Sequence, residues 1–96
     1  MEQVSERDEQ ALAFRQQGRS FVKIAALLGF ESSRGAVMAY RRAALQRSPE
    51  EQATLRAEEQ RRFDAMAKKV RADSALPKAD AAKRLARIER LRAMLA

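Results

Sequence analysis

Cysteine, histidine and tryptophan are absent from this 96-residue chain, and glycine and proline together number five. Without cysteine there is no disulfide framework, and without cysteine or histidine there is no zinc site of the usual kind. A Ser–His or Cys–His nucleophile pair is excluded for the same reason. So few glycines and prolines argue against a loop-rich or β-rich fold. Aromatic residues make up only 5%, and twenty of the residues counted as hydrophobic are alanine, so any core is thin. No apolar run approaches the ~18 residues that suggest a membrane span. The acidic, polar start does not resemble a signal peptide. The expectation is a cytoplasmic protein of a bacterium or a phage-infected cell, with no membrane association.

The abundant residues are Ala, Arg, Glu, Gln and Leu, all good helix formers, so the fold class expected is all-α. Net charge is +7, unevenly spread. Residues 1–10 carry −3, residues 11–47 carry +6, residues 48–74 balance, and residues 75–96 carry +4. A basic block inside a helical segment fits a polyanionic partner; it equally fits a small protein kept soluble by charge.

Helix signals recur along the chain. Ser5 followed by Asp8 resembles a capping box for a first helix over about 6–17, stopped by Gly18. Ser20 caps a short second helix whose Phe21, Ile24, Ala25 and Leu28 share one face, and Gly29 ends it. Ser32 or Ser33 caps a third helix to about residue 46, with Ala36, Ala39, Tyr40 and Ala43 on one narrow face. Ser48-Pro49-Glu50-Glu51 is the clearest start signal, opening a long fourth helix to about residue 72. On that helix Leu55, Phe63, Met66 and Val70 form an apolar face that Glu59 interrupts. Pro77 disfavours helix at Leu76, and a fifth helix follows over about 78–95.

Residues 18–33 have the ingredients of a helix-turn-helix. A small residue, Ala25, stands where two helices must cross. Gly29 lies in the turn, and Ile24, Leu28 and Phe30 anchor both sides. The third helix then reads DNA from the major groove. Ser32, Ser33 and Arg34 lie at its start, where side chains reach base edges, and Arg34 suits bidentate pairing with guanine. Arg34, Met38, Arg41 and Arg42 are expected to project away from the alanine face, Arg41 and Arg42 toward phosphates. Ser20 and Lys23 are phosphate contacts at the start of the second helix. Each residue has a plainer reading as core, cap or solvated surface, and only the combination is specific.

The run Gly-x-Ser-Phe-x-x-Ile-Ala-x-x-Leu-Gly-Phe over residues 18–30 is followed by Ser32-Ser33-Arg34-Gly35-Ala36 and by Ala39-Tyr40-Arg41-Arg42-Ala43-Ala44-Leu45. It resembles the homeodomain-like helix-turn-helix of phage-associated DNA-binding proteins, among them terminase small subunits and resolvase- or transposase-type DNA-binding domains. The resemblance covers about residues 5–46. It implies double-stranded DNA as partner, read by the third helix. Glu31 departs from the related pattern by placing an acid in the turn beside the expected DNA surface.

Two regions are therefore expected: a three-helix helix-turn-helix bundle over 1–47, and a two-helix antiparallel hairpin over 48–96. The hairpin stripes are narrow, and Leu85, Ile88, Leu91 and Leu95 either close the chain's own core or form a homodimer seam. Lys83, Arg84, Arg87, Arg90 and Arg92 give the fifth helix a basic side. The function expected is a transcriptional regulator or a phage DNA-processing component. The alternative is an interaction module whose hairpin binds a larger machine such as RNA polymerase or a terminase. Catalysis is not expected, because Asp64, Asp73 and Asp80 are scattered without metal-ligand spacing and no Gly-rich phosphate loop is present. No cofactor is expected.

Overall fold

A computed structural model describes residues 4–96. Among them regular structure is entirely helical: α1 (Glu6–Gln16), α2 (Phe21–Leu28), α3 (Ser33–Leu45), α4 (Pro49–Ala72) and α5 (Lys78–Met94). None of these helices is long and apolar enough to cross a membrane. The chain divides into two compact units, Met1–Gln52 and Ala53–Ala96, with the division inside the first turns of α4.

In the first unit each helix starts where the local chemistry favours it. The Ser5 hydroxyl accepts the Asp8 N–H at 3.1 Å, and the Asp8 carboxylate accepts the Ser5 N–H at 3.3 Å. This reciprocal box satisfies two of the donors that a helix start otherwise leaves unpaired. The Ser20 hydroxyl caps α2 through the Lys23 N–H at 3.1 Å. Ser32 occupies the cap position of α3, yet its hydroxyl makes no capping bond; its carbonyl takes the Gly35 N–H at 3.1 Å instead.

Helix α3 is the centre of this unit and packs against both α1 and α2. Ala36, Ala39 and Ala43 are fully buried on it, and side chains this small let the neighbouring helices approach closely. Ala11 and Leu12 of α1 and Ile24 of α2 close the core, with Phe21 meeting Tyr40 edge to face at 5.6 Å. Burying a side chain the size of Leu12 or Ile24 contributes about 1.5–3 kcal/mol, so a few such residues carry the unit.

The chain turns between α2 and α3 at Gly29, which adopts φ 75° and ψ 30°. That left-handed conformation strains any residue with a Cβ. A Cβ placed there meets nothing within 4 Å, so the penalty of Gly29→Ala is conformational alone. Gly29→Ala should destabilise the unit by about 1 kcal/mol, lowering Tm by about 4–8 °C. Tyr40 is the sole tyrosine, is buried in this unit, and has no tryptophan competing with it, so its fluorescence reports the transition. An unchanged midpoint would show that the turn does not need its glycine. Phe30 follows, half-buried and set close over Gly35, where an added Cβ would lie 3.2 Å from the ring.

Helix α4 opens within the first unit, on the Ser48 hydroxyl, which accepts the Glu51 N–H at 3.2 Å, and runs on into the second. The buried positions of α4 are Leu55, Glu59, Phe63 and Ala67. Met66, expected with Phe63 on a common apolar face, is 42% exposed instead. Residues 59, 63 and 67 are successive steps of four along one side of the helix, whereas residue 66 lies about 60° off the centre of that side, at its flank. Glu59 does not merely interrupt the stripe: it is buried within it and ion-paired with Arg62. From α5, Arg92 reaches Asp64 at 3.1 Å, donates to Gln60, and sets its guanidinium over the Phe63 ring at 5.8 Å.

Candidate nucleic-acid interface

Helix α3 has a buried side and an exposed side. At 100° per residue, Arg34, Met38 and Arg41 fall within one narrow stripe, opposite Ala36, Ala39 and Ala43. The structure agrees: Arg34 and Arg41 are exposed, Met38 is half-buried between them, and Leu45 extends the stripe at 50% exposure. Ser32 and Ser33 stand at the N-terminal end of this helix, Ser32 exposed and Ser33 half-buried. Because the Ser32 hydroxyl is not spent on capping, it remains a donor and acceptor at the helix start.

Arg42 is placed otherwise than expected. It lies about 80° round the helix from Arg34 and turns toward α1 rather than standing with Arg34 and Arg41. Its Nε and Nη2 donate to the two carboxylate oxygens of Asp8, both at 2.9 Å. The Asp8 side chain is 4% exposed and that of Arg42 is 32% exposed. The fork is thus held by a carboxylate from another helix, and its geometry suits that task. The hydrogen bond from Arg42 holds the Asp8 carboxyl below its usual value, against the opposing effect of burial, with the Ser5 N–H helping. Arg47 is engaged in the same way, donating to both oxygens of Glu9 at 3.2 and 2.6 Å, which raises its own pKa.

These pairs revise the electrostatic reading. The acidic head and the basic block are separate in sequence, but α1 folds Asp8 and Glu9 onto two of that block's cations. The first 52 residues carry a net charge of only +1, and residues 53–96 carry +6.

On α2, Ser20 is exposed and its oxygen accepts the Lys23 N–H, so capping already employs it. Lys23 is exposed. Arg19, which the sequence reading passed over, is also exposed just ahead of this helix, with Nε on Gln17 at 3.3 Å. Only its position before a capping serine could have marked it. Val22 and Leu27 of α2, about 140° apart round the helix, are 69% and 46% exposed. Glu31 is exposed in the turn, where its charge opposes a phosphate. Arg7 of α1 lies over the Phe30 ring at 4.1 Å, tying the turn to the first helix.

Among the described residues no group of three or more Asp or Glu side chains is arranged to hold a metal ion. No family model, curated protein or solved structure matches this chain.

Proposed function

We propose that the first unit is a helix-turn-helix that binds duplex DNA, with α3 entering the major groove, in a binding protein rather than an enzyme. In this reading α1, α2 and α3 form the three-helix bundle, and α4 and α5 form an antiparallel hairpin beyond it. The observation that carries it is the stripe of exposed Arg34 and Arg41 with half-buried Met38 between them, standing opposite an alanine face packed on the neighbouring helices. A helix held on one side and basic on the other can lie in a groove about 12 Å wide. Arg34, near the helix start with Ser32 and Ser33, is the base-reading candidate; Arg41, two turns on, is a phosphate contact. Lys23, with Arg19 and Ser20 beside it, supports the backbone from α2. Arg42 takes no DNA-contacting part; it holds α3 to α1.

The residues resemble phage-associated helix-turn-helix proteins, so the role proposed is transcriptional regulation or phage DNA processing, in the cytoplasm. Electrostatics gives the test. Four cations (Arg19, Lys23, Arg34 and Arg41) engaging phosphate would make the log of the binding constant fall against log salt with a slope of about −3.6. Selection of duplexes from a random pool, followed by titration at several salt concentrations, measures both site and slope. A slope near zero, or no enrichment of any sequence, would remove α3 as a reader of DNA. The symmetry of an enriched site would also report whether two copies bind together.

A further inference from the structure

The second unit contains a feature for which DNA binding has no use. Between α4 and α5 lies a groove of about 660 Å³. Met66 and Val70, one turn apart on α4, face Ile88 and Leu91 of α5 across its floor. Ile88 is buried, Val70 and Leu91 are half-buried, and Met66 is exposed at its edge. The rim is basic: Lys69, Arg84 and Arg87 line it, all exposed. Among the described residues none of these three makes an ion pair. The single acid on the rim, Asp73, accepts the N–H of Ala75 in the turn between the helices.

The geometry points to this groove as a docking site for an acidic amphipathic helix of a partner protein. Floor and rim together, over residues 66–73 and 84–91, run about 10 Å along each helix, so the groove takes about two turns of a third one. Apolar side chains at i, i+3 or i+4, and i+7 would fill it, with Asp or Glu beside them meeting Lys69, Arg84 and Arg87. The adaptable Met66 side chain suits such a surface. Other occupants fit less well. A second copy would bring another unit of charge +6 against the same rim. Duplex DNA offers phosphates to the cations but no side chains for the floor.

The experiment uses the full chain, isotopically labelled, and three probes. The first is a synthetic helical peptide with Leu and Phe at those spacings and Glu on the flanks. The second is the same peptide with each Glu replaced by Lys, and the third is a short DNA duplex. The Glu peptide should move the amide resonances of residues 66–73 and 84–91, and the Lys peptide should not. Arg84→Glu/Arg87→Glu should weaken the Glu peptide at least about tenfold while the spectrum stays folded, since both side chains are exposed. Arg34→Glu/Arg41→Glu should leave peptide binding intact, which separates this proposal from DNA recognition by α3. The proposal is overturned if the Glu peptide binds nowhere or elsewhere, or if the Lys peptide binds equally. It is also overturned if the charge reversal changes nothing, if the duplex moves the same resonances with the same charge dependence, or if those resonances shift with protein concentration alone.

Discussion

Arg34→Glu/Arg41→Glu is expected to bind duplex DNA at least about 100-fold more weakly than the unaltered chain. A good bidentate arginine–guanine pair is worth about 1–3 kcal/mol of discrimination, and a reversed charge adds repulsion from the phosphates it replaces. The same variant should melt normally, because both side chains are exposed and surface changes away from special features stay within about 0.5 kcal/mol. That contrast makes the measurement decisive: lost binding with intact melting assigns the effect to contact rather than to folding. Single replacements then separate the roles. Arg34→Ala should relax base preference at one position, whereas Arg41→Ala should weaken all duplexes alike and flatten the salt slope by about one unit. If the double variant binds as well as the parent, α3 does not meet DNA.

The second large effect is on stability. Asp8→Ala removes both acceptors of the Arg42 fork and one half of the capping box of α1. Breaking a fully buried ion pair costs about 3–5 kcal/mol, and an exposed one about 0–1. Here the carboxylate is buried but water still reaches Arg42, whose side chain is 32% exposed. The loss should therefore fall between those limits, at about 2 kcal/mol, followed through Tyr40 fluorescence in denaturant. Asp8→Asn keeps an acceptor for the Ser5 N–H and should lose less.

The same residue gives the acid response its sign. The folded-state pKa of Asp8 lies below the ordinary value of 3.8, so around that pH the unfolded chain binds more protons than the folded one. The contribution is complete above the unfolded value and disappears as pH falls through the lower, folded value. Asp8→Ala should flatten the dependence of stability on pH below about 4. If the parent and the variant lose stability in parallel there, Asp8 is not the group responsible.

Much of the helical framework was legible from local chemistry. Ser5 with Asp8, Ser20, Gly29, Ser48-Pro49 and Pro77 each act on backbone groups a few residues away. They therefore mark the helices to within a residue or so of Glu6–Gln16, Phe21–Leu28, Ser33–Leu45, Pro49–Ala72 and Lys78–Met94. The Ala36, Ala39 and Ala43 face of α3 was legible too, because burial follows the helical period wherever a helix has one packed side. Arg34 and Arg41 on the opposite side follow from the same period.

Arg42 and Met66 mark where that reasoning stops. Arg42 sits at the flank of the exposed stripe, where periodicity alone assigns neither side. Its fate depended on an acid 34 positions earlier, brought beside it by the packing of α1 on α3. Helical spacing sets Met66 near Phe63, but the packed side of α4 runs through Glu59, Phe63 and Ala67 and leaves Met66 on the edge of a groove. Helix starts and stops, and the alanine face of α3, are written in neighbours along the chain, and sequence supplied them. Which cations stay exposed, and how the +7 is shared between a nearly neutral first unit and a basic second one, depend on contacts across distances that no local pattern records. Those the tertiary structure alone decided, because a charge takes its partner from whatever folding brings within about 3 Å of it.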